Sequence, residues 1–249
     1  MKKAKLLGII AFAAIIIVLI GCKDSTDDNG GGGDSGGVVS QPPSGSNGPG
    51  GVSLDSNGDL RINATVYVPG ADGNISTNKA ANNAITVFLW RPGTSKMNPD
   101  YTRNISDGTV NISIPAPNTY TLNRVIDYFP DGVKSGADVE ITNLLLSTPS
   151  CGDATMLSLH GNSVFEGDYS GIPPRWHLKS GEEYCIYYSK GDAVISGTGS
   201  EDGYSYIIDI KFAKGWNIVC EKEDPVRKTF SIISKSPPVN ARWIFMGID

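Results

Sequence analysis

Cys151, Cys185 and Cys220, with His160 and His177, are the residues beyond the first fifty whose types could support nucleophilic, redox or metal chemistry. Their spacing argues against most of it. No Cys-x-x-Cys step occurs and no histidine stands at metal-ligand spacing from a cysteine, so neither a zinc site nor a dithiol redox site is predicted. The two histidines are 17 positions apart and neither sits in a nucleophile motif, which leaves a Ser-His-Asp triad without support. Cys185 and Cys220 fall in apolar, strand-like runs, whereas Cys151 lies in the polar stretch Ser150–Asp153. A Cys185–Cys220 disulfide is one reading of that pattern, and a pair of buried free thiols is the other.

The acids give two further candidates. Asp55, Asn57 and Asp59 place oxygens at alternate positions, as a calcium loop does, but Leu60 stands where the sharp turn needs glycine and Val66 where a bidentate acid would close the site. A turn leading into the first strand is the expectation, since Asp, Asn and Gly favour turns through their own backbone contacts. Glu182 with Glu183, and Glu201 with Asp202, are adjacent carboxylates. Neighbours on a strand point to opposite faces, so neither pair reads as an acid and base couple. Asn63, Asn104 and Asn111 open N-x-S/T sequons and are discounted. No catalytic residue, metal ligand or cofactor is predicted.

The aromatic set Trp176, Tyr184, Tyr187, Tyr188, Tyr204 and Tyr206 is more suggestive. Flat amphipathic rings on a sheet face or loop can stack on sugars or anchor a protein partner, and Trp176, Tyr187, Tyr188 and Tyr204 are the candidate ligand-binding residues. Core and cross-strand packing is the competing role for them.

The elements that would position these groups are strands. Leu60, Ile62, Ala64, Val66 and Val68 alternate with polar residues, and Pro69-Gly70 stops the run. Ala84–Trp90 and Thr109–Ile114 follow, then a short run, Thr121–Tyr128, with helical spacing. After a connection at Gly132–Gly136 the rhythm resumes with Val139–Leu146, Thr155–His160, Glu183–Tyr188, Ala193–Gly197, Ser205–Phe212, Trp216–Glu221, Lys228–Ile233 and Ala241–Met246. The tight link Ala213-Lys214-Gly215 predicts that Ser205–Phe212 and Trp216–Glu221 form an antiparallel hairpin, with Trp216 in the core. Many short strands without long helical patterns predict an all-β fold: one or two antiparallel β-sandwich modules, Ig-like or transthyretin-like, at 53–133 and 134–249.

The N-terminus predicts where this fold resides. Lys2, Lys3 and Lys5 precede a charge-free apolar run, Leu6–Ile20, which is the pattern of an export signal and short for a membrane span. Leu19-Ile20-Gly21-Cys22 resembles the lipobox of bacterial lipoproteins. That resemblance, confined to residues 1–22, implies cleavage before Cys22 and lipid on its thiol, with two or more acyl chains holding the protein on a membrane. Lys23, rather than Asp, after the cysteine implies by the same resemblance the outer membrane, on its periplasmic or extracellular face. Residues 22–52, rich in Gly, Ser, Asp, Asn and Pro, are predicted to be a flexible tether after a signal peptide at 1–21.

Charge excludes one class of partner. The chain has 21 Lys and Arg against 26 Asp and Glu, and loss of the three leader lysines leaves a net charge of about −8. The longest basic cluster is Arg227-Lys228, so nucleic acid is not an expected partner. The expected partners are the membrane, through the lipid anchor, and a carbohydrate or protein ligand. The sequence therefore predicts a lipid-anchored, non-enzymatic binding or structural module, used in adhesion or recognition. The rival is a glycan hydrolase whose carboxylates meet only in the fold.

Overall fold

The computed structural model describes residues 39–45, 48–90, 99–117, 122–124, 134–135, 139–147, 156–169, 175–201 and 203–247. These residues form 17 strands: β1 Val52–Leu54, β2 Leu60–Pro69, β3 Ile75–Lys79, β4 Asn83–Trp90, β5 Pro99–Ile105, β6 Thr109–Ile114, β7 Asn123–Arg124, β8 Lys134–Ser135, β9 Glu140–Ser147, β10 Leu157–His160, β11 Val164–Asp168, β12 Arg175–Ser189, β13 Ala193–Glu201, β14 Tyr204–Phe212, β15 Gly215–Asp224, β16 Thr229–Ser234 and β17 Arg242–Phe245. The fold is all-β.

Period-two patterning produces these strands. In β2, Leu60, Ile62 and Val66 are fully enclosed while Arg61 and Asn63 face water, and in β6 Val110, Ile112 and Ile114 are buried between exposed neighbours. Pairing Leu60 with Ile114 and Ile62 with Ile112 puts both apolar sets on one face. The turn before β2 is made by Asp55, whose Oδ1 accepts from the Asn57 and Asp59 amides at 2.8 and 3.1 Å. Its Oδ2 meets Arg61 at 3.1 Å. Asp55, Asn57 and Asp59 thus build a turn, as their types predict.

The strands join into one network in which β12 is the hub. One edge of β12 pairs with β15, and the other is shared by β9, β10 and β11. β9 leads on to β4 and β5, and β10 leads through β17 to β2, which carries β1, β3 and β6. Two pairings, β17 with β2 and β14 with β16, are parallel, so the sheet is mixed rather than purely antiparallel.

The main core lies between the β2–β6 layer and the layer of β4, β9, β12, β15 and β17. It holds Leu60, Ile62, Val110 and Ile112 against Ile85, Leu144, Ile186, Trp216, Ile218 and Trp243. A second cluster, with Ile195, Ile208, Ile210, Phe212, Val219 and Ile232, covers the opposite face of β12 and β15. A third gathers Phe165, Ile244 and Met246. Trp216 is 0% exposed, as its pattern predicts.

Four expectations need correction. The boundary at 133/134 does not divide two cores, because β4 pairs with β9 and β2 with β17, and the main core takes residues from both sides. The β14–β15 hairpin does not form. β16 inserts between these strands, parallel to β14 and antiparallel to β15, burying Phe230 and Ile232 in the second cluster. The tight link is nevertheless real, since Asn217 brackets it by accepting from the Ala213 amide at 2.9 Å and donating to the Ala213 and Gly215 carbonyls at 2.8 Å each. Within the run read as helical, Asn123–Arg124 instead pairs with Ile141 and Glu140, and residues 121 and 125–128 lie outside the described residues.

The fourth correction concerns the tether, whose last part is packed structure. The Ser40 carbonyl accepts from the Ile218 amide at 2.7 Å, the Pro43 carbonyl accepts from Leu54, and Ser40 is 3% exposed. The Gly50 carbonyl accepts from the Trp243 indole at 2.7 Å. Gly51 has φ +68°, and a Cβ there would lie 2.0 Å from the Asn63 carbonyl oxygen. Glycine is needed at that position for close backbone approach, which composition alone reads as flexibility.

Candidate functional site

The β12–β15 ladder sorts the chemically active residues onto two faces. Glu183 lies opposite Glu221, Cys185 opposite Val219 and Tyr187 opposite Asn217 on one face. Glu182 opposite Lys222, Tyr184 opposite Cys220 and Tyr188 opposite Trp216 make up the other. Cys185 packs against the second cluster and Cys220 lies in the main core, so the sheet itself stands between them. Both are free thiols, which corrects the disulfide reading. Burial pushes the Cys185 thiol well up and that of Cys220 to about 12, so neither is a ready nucleophile.

A bend in β12 sets where Glu183 falls. Gly181 has φ +129°, and a Cβ on it would lie 2.5 Å from the Asn162 carbonyl oxygen and the Ser163 Cα. Ser163 holds the bend, its hydroxyl donating to the Glu182 carbonyl at 3.1 Å and accepting from the Glu182 amide at 3.3 Å. Beyond the bend, four strands align a polar row on one face. Glu221 of β15 is opposite Glu183 of β12, which is opposite His160 of β10, which is opposite Arg242 of β17.

Each member of the row has a distinct electrostatic setting. Burial, then the neighbouring Glu183, pushes the Glu221 carboxyl up to about 7. Burial raises Glu183 too, partly offset by a hydrogen bond with the Ser158 hydroxyl. The Tyr187 hydroxyl donates to Glu221 Oε1 at 3.4 Å. Glu223, one pair further along, is raised by burial and faces the Tyr204 hydroxyl. His160 is 1% exposed, packs edge-on against Phe165 at 5.0 Å, and is pushed down to about 3 by burial, so it stays neutral. The Arg242 guanidinium is engaged elsewhere, donating to the Ser76 carbonyl at 3.0 Å and lying 4.8 Å from the Tyr67 ring centroid.

On the opposite face Glu182 is ion-paired with Lys235 and accepts from the Tyr184 hydroxyl at 2.6 Å. Burial pushes its carboxyl up, but the hydrogen bonds from Lys235 and Tyr184 outweigh that and hold it below the usual carboxylate range. The adjacent acids Glu182 and Glu183 are thus parted, as strand alternation requires. The pair Glu201 and Asp202 cannot be placed in the same way, since Asp202 lies outside the described residues.

The candidate aromatic residues do not assemble into one platform. Trp176 is half-buried in the third cluster, Tyr187 is 6% exposed in the second with Tyr204 against it, and Tyr188 packs edge-on to Trp216 at 5.3 Å in the first. Period two and the two-sided burial of β12 explain the split, because successive tyrosines must enter different cores. The sequence reading missed the Glu183–Glu221 opposition. Its signal was an acid at the end of each of two apolar runs, but the register that brings them together is not written in either run.

A small cleft opens beside this row where β9 ends and β10 begins, both seated on the same edge of β12. Leu144, Leu146, Met156, Ser158, Glu183 and Cys185 are on its wall, and its volume of ≈ 30 Å³ suits one or two waters. Among the described residues, no group of three or more His, Cys, Asp or Glu is placed to hold a metal ion. No family model, curated protein or solved structure matches the chain.

Proposed function

We propose that the chain is a bacterial lipoprotein held at the outer membrane by lipid on Cys22, and that its β-fold serves as a non-enzymatic binding or structural module for carbohydrate or protein. The observation that carries this reading is the order of parts: a lipobox-like tetrad ending at Cys22, seventeen residues, then a fold that begins by strapping Ser40 onto β15. Covalent geometry lets those seventeen residues span at most roughly 60 Å, so the fold would stand close to the membrane. Recognition would fall to end loops and exposed side chains such as Tyr169, which is 68% exposed, because the strand aromatics are spent on the cores.

One observation favours the rival, a glycan hydrolase. Glu183 and Glu221 are direct cross-strand partners on one face, so the fold brings two carboxyl-bearing side chains together, as a glycosidase requires. The adjoining cleft weighs against it, since ligand pockets run to several hundred Å³, roughly, and this one takes only water. Intact mass of the detergent-extracted protein tests the anchor: a chain beginning at lipidated Cys22 is expected, and an unmodified Cys22 behind an intact leader refutes it. A glycan and matrix-protein array tests the module, with binding but no turnover expected; glycan cleavage would favour the rival.

A further inference from the structure

We propose that Glu183 and Glu221 share one proton as a carboxyl pair, and that this proton locks β10, β12 and β15 together on the face between the second and third clusters. Loss of it puts two negative charges side by side and loosens that face. The proposal is independent of the lipoprotein reading, since it concerns the folded unit alone.

The geometry supplies the constraint. The two side chains are direct cross-strand partners on one face of β12 and β15, and both are half-buried. Carboxylates so placed cannot both ionise cheaply unless a cation intervenes. The described groups facing them supply none. From β10 come the Ser158 hydroxyl and the neutral His160 ring; from β12, the Cys185 thiol and the Tyr187 hydroxyl; from β15, Glu223, a third acid. β14 presents Tyr204 and Tyr206, β16 presents Phe230 and Ile232, and β9 presents Ile141, Asn143 and Leu145. From β17, Arg242 is two strands from Glu183 and three from Glu221, and is committed to Ser76 and Tyr67. The nearby lysines Lys222 and Lys235 serve the opposite face, Lys235 in the ion pair with Glu182. Hydroxyl and thiol donors can stabilise one negative charge in such a place, and the proton removes the second.

The sign follows from linkage. The Glu221 carboxyl is raised from its ordinary 4.5 to about 7, so the folded chain binds the proton more tightly than the unfolded chain. Its stabilisation is complete below about pH 4.5 and is lost as pH rises through about 7. Thermal unfolding of the full chain between pH 5 and 8 tests this, comparing the wild type with Glu221→Gln, which keeps the shape and cannot ionise. The wild-type midpoint should fall across that range by about 4 °C or more beyond the fall in Glu221→Gln. Parallel profiles would overturn the proposal. If Glu221→Gln does not fold, carboxyl-carbon resonances of the wild type decide instead. A glutamate midpoint near 7 is expected, and every glutamate titrating below ~5.5 would refute the shared proton.

Discussion

Glu182 and Glu183 are neighbours in the chain and opposites in chemistry. Glu182 faces Lys235 and the Tyr184 hydroxyl, and its carboxyl is held down; Glu183 faces Glu221, and both carboxyls on that face are pushed up. Burial acts in the same direction on all three. What differs is the company on each face: Lys235 and the Tyr184 hydroxyl hold Glu182 down, whereas the ladder sets Glu183 against another acid. The two faces of one strand pair therefore respond to pH with opposite signs, and the fold is most secure where Glu182 is ionised and the Glu183–Glu221 pair still holds its proton. The same comparison separates the aromatics. Tyr188 supports Trp216 in the main core, whereas Tyr187 places its hydroxyl against Glu221.

The largest effect should come from emptying the apolar face. Trp216 is fully enclosed and has Tyr188 edge-on at 5.3 Å, so Trp216→Ala should cost about 3–5 kcal/mol, a cavity penalty that lowers the melting midpoint by roughly 10 °C. Because β12 and β15 carry the second cluster on their other side, calorimetry should show a single lowered transition. A residual transition at the parent temperature would mean that the two faces melt independently.

A smaller effect should come from the charged end of that face. Glu182 is held below its ordinary value, so its contribution is present above about pH 4.5 and is lost as pH falls through the folded value. Glu182→Gln should lower stability at pH 7 by about 1 kcal/mol, since the pair with Lys235 is partly exposed and screened. Chemical denaturation of the two proteins should give curves that converge towards pH 3. This slope is opposite to the one expected of Glu221. A Glu182→Gln penalty that grows in acid would contradict the assignment of partners.

Much of the local structure was legible from the chain, and the reason is patterning. Thr109–Ile114 is found as read, and the first long strand ends one residue beyond its predicted Val68, because alternation and proline state where a half-buried strand starts and stops. The misreadings share a cause. The Ala213–Gly215 link states that the chain turns, not what pairs with it, and β16 takes the place expected of β15. The stretch up to Gly51 has tether composition, yet its last part is fixed by contacts with Ile218, Leu54 and Trp243, which are distant or differently assigned in the sequence. The N-terminal half of β12 was missed because the bend at Gly181 interrupts its alternation. For the site, each acid was visible and the row was not, since register across four strands is a tertiary property.

The smallest effect concerns the thiols, and it tests the facing rule on which both carboxyl assignments depend. Cys185 and Cys220 belong to adjacent strands and differ by one step of register, with Cys185 opposite Val219 and Cys220 opposite Tyr184. One step of register is a change of face, so their sulfurs point into different cores and cannot approach the ~2 Å of a disulfide without unpairing β12 from β15. A peptide map made without reductant should therefore contain no Cys185–Cys220 link. Burial raises both thiols, so each should resist alkylation in the folded chain and react on unfolding. A link between them would mean that the ladder is shifted by one residue, which would also place Glu183 and Glu221 on opposite faces and dissolve the proton-sharing pair.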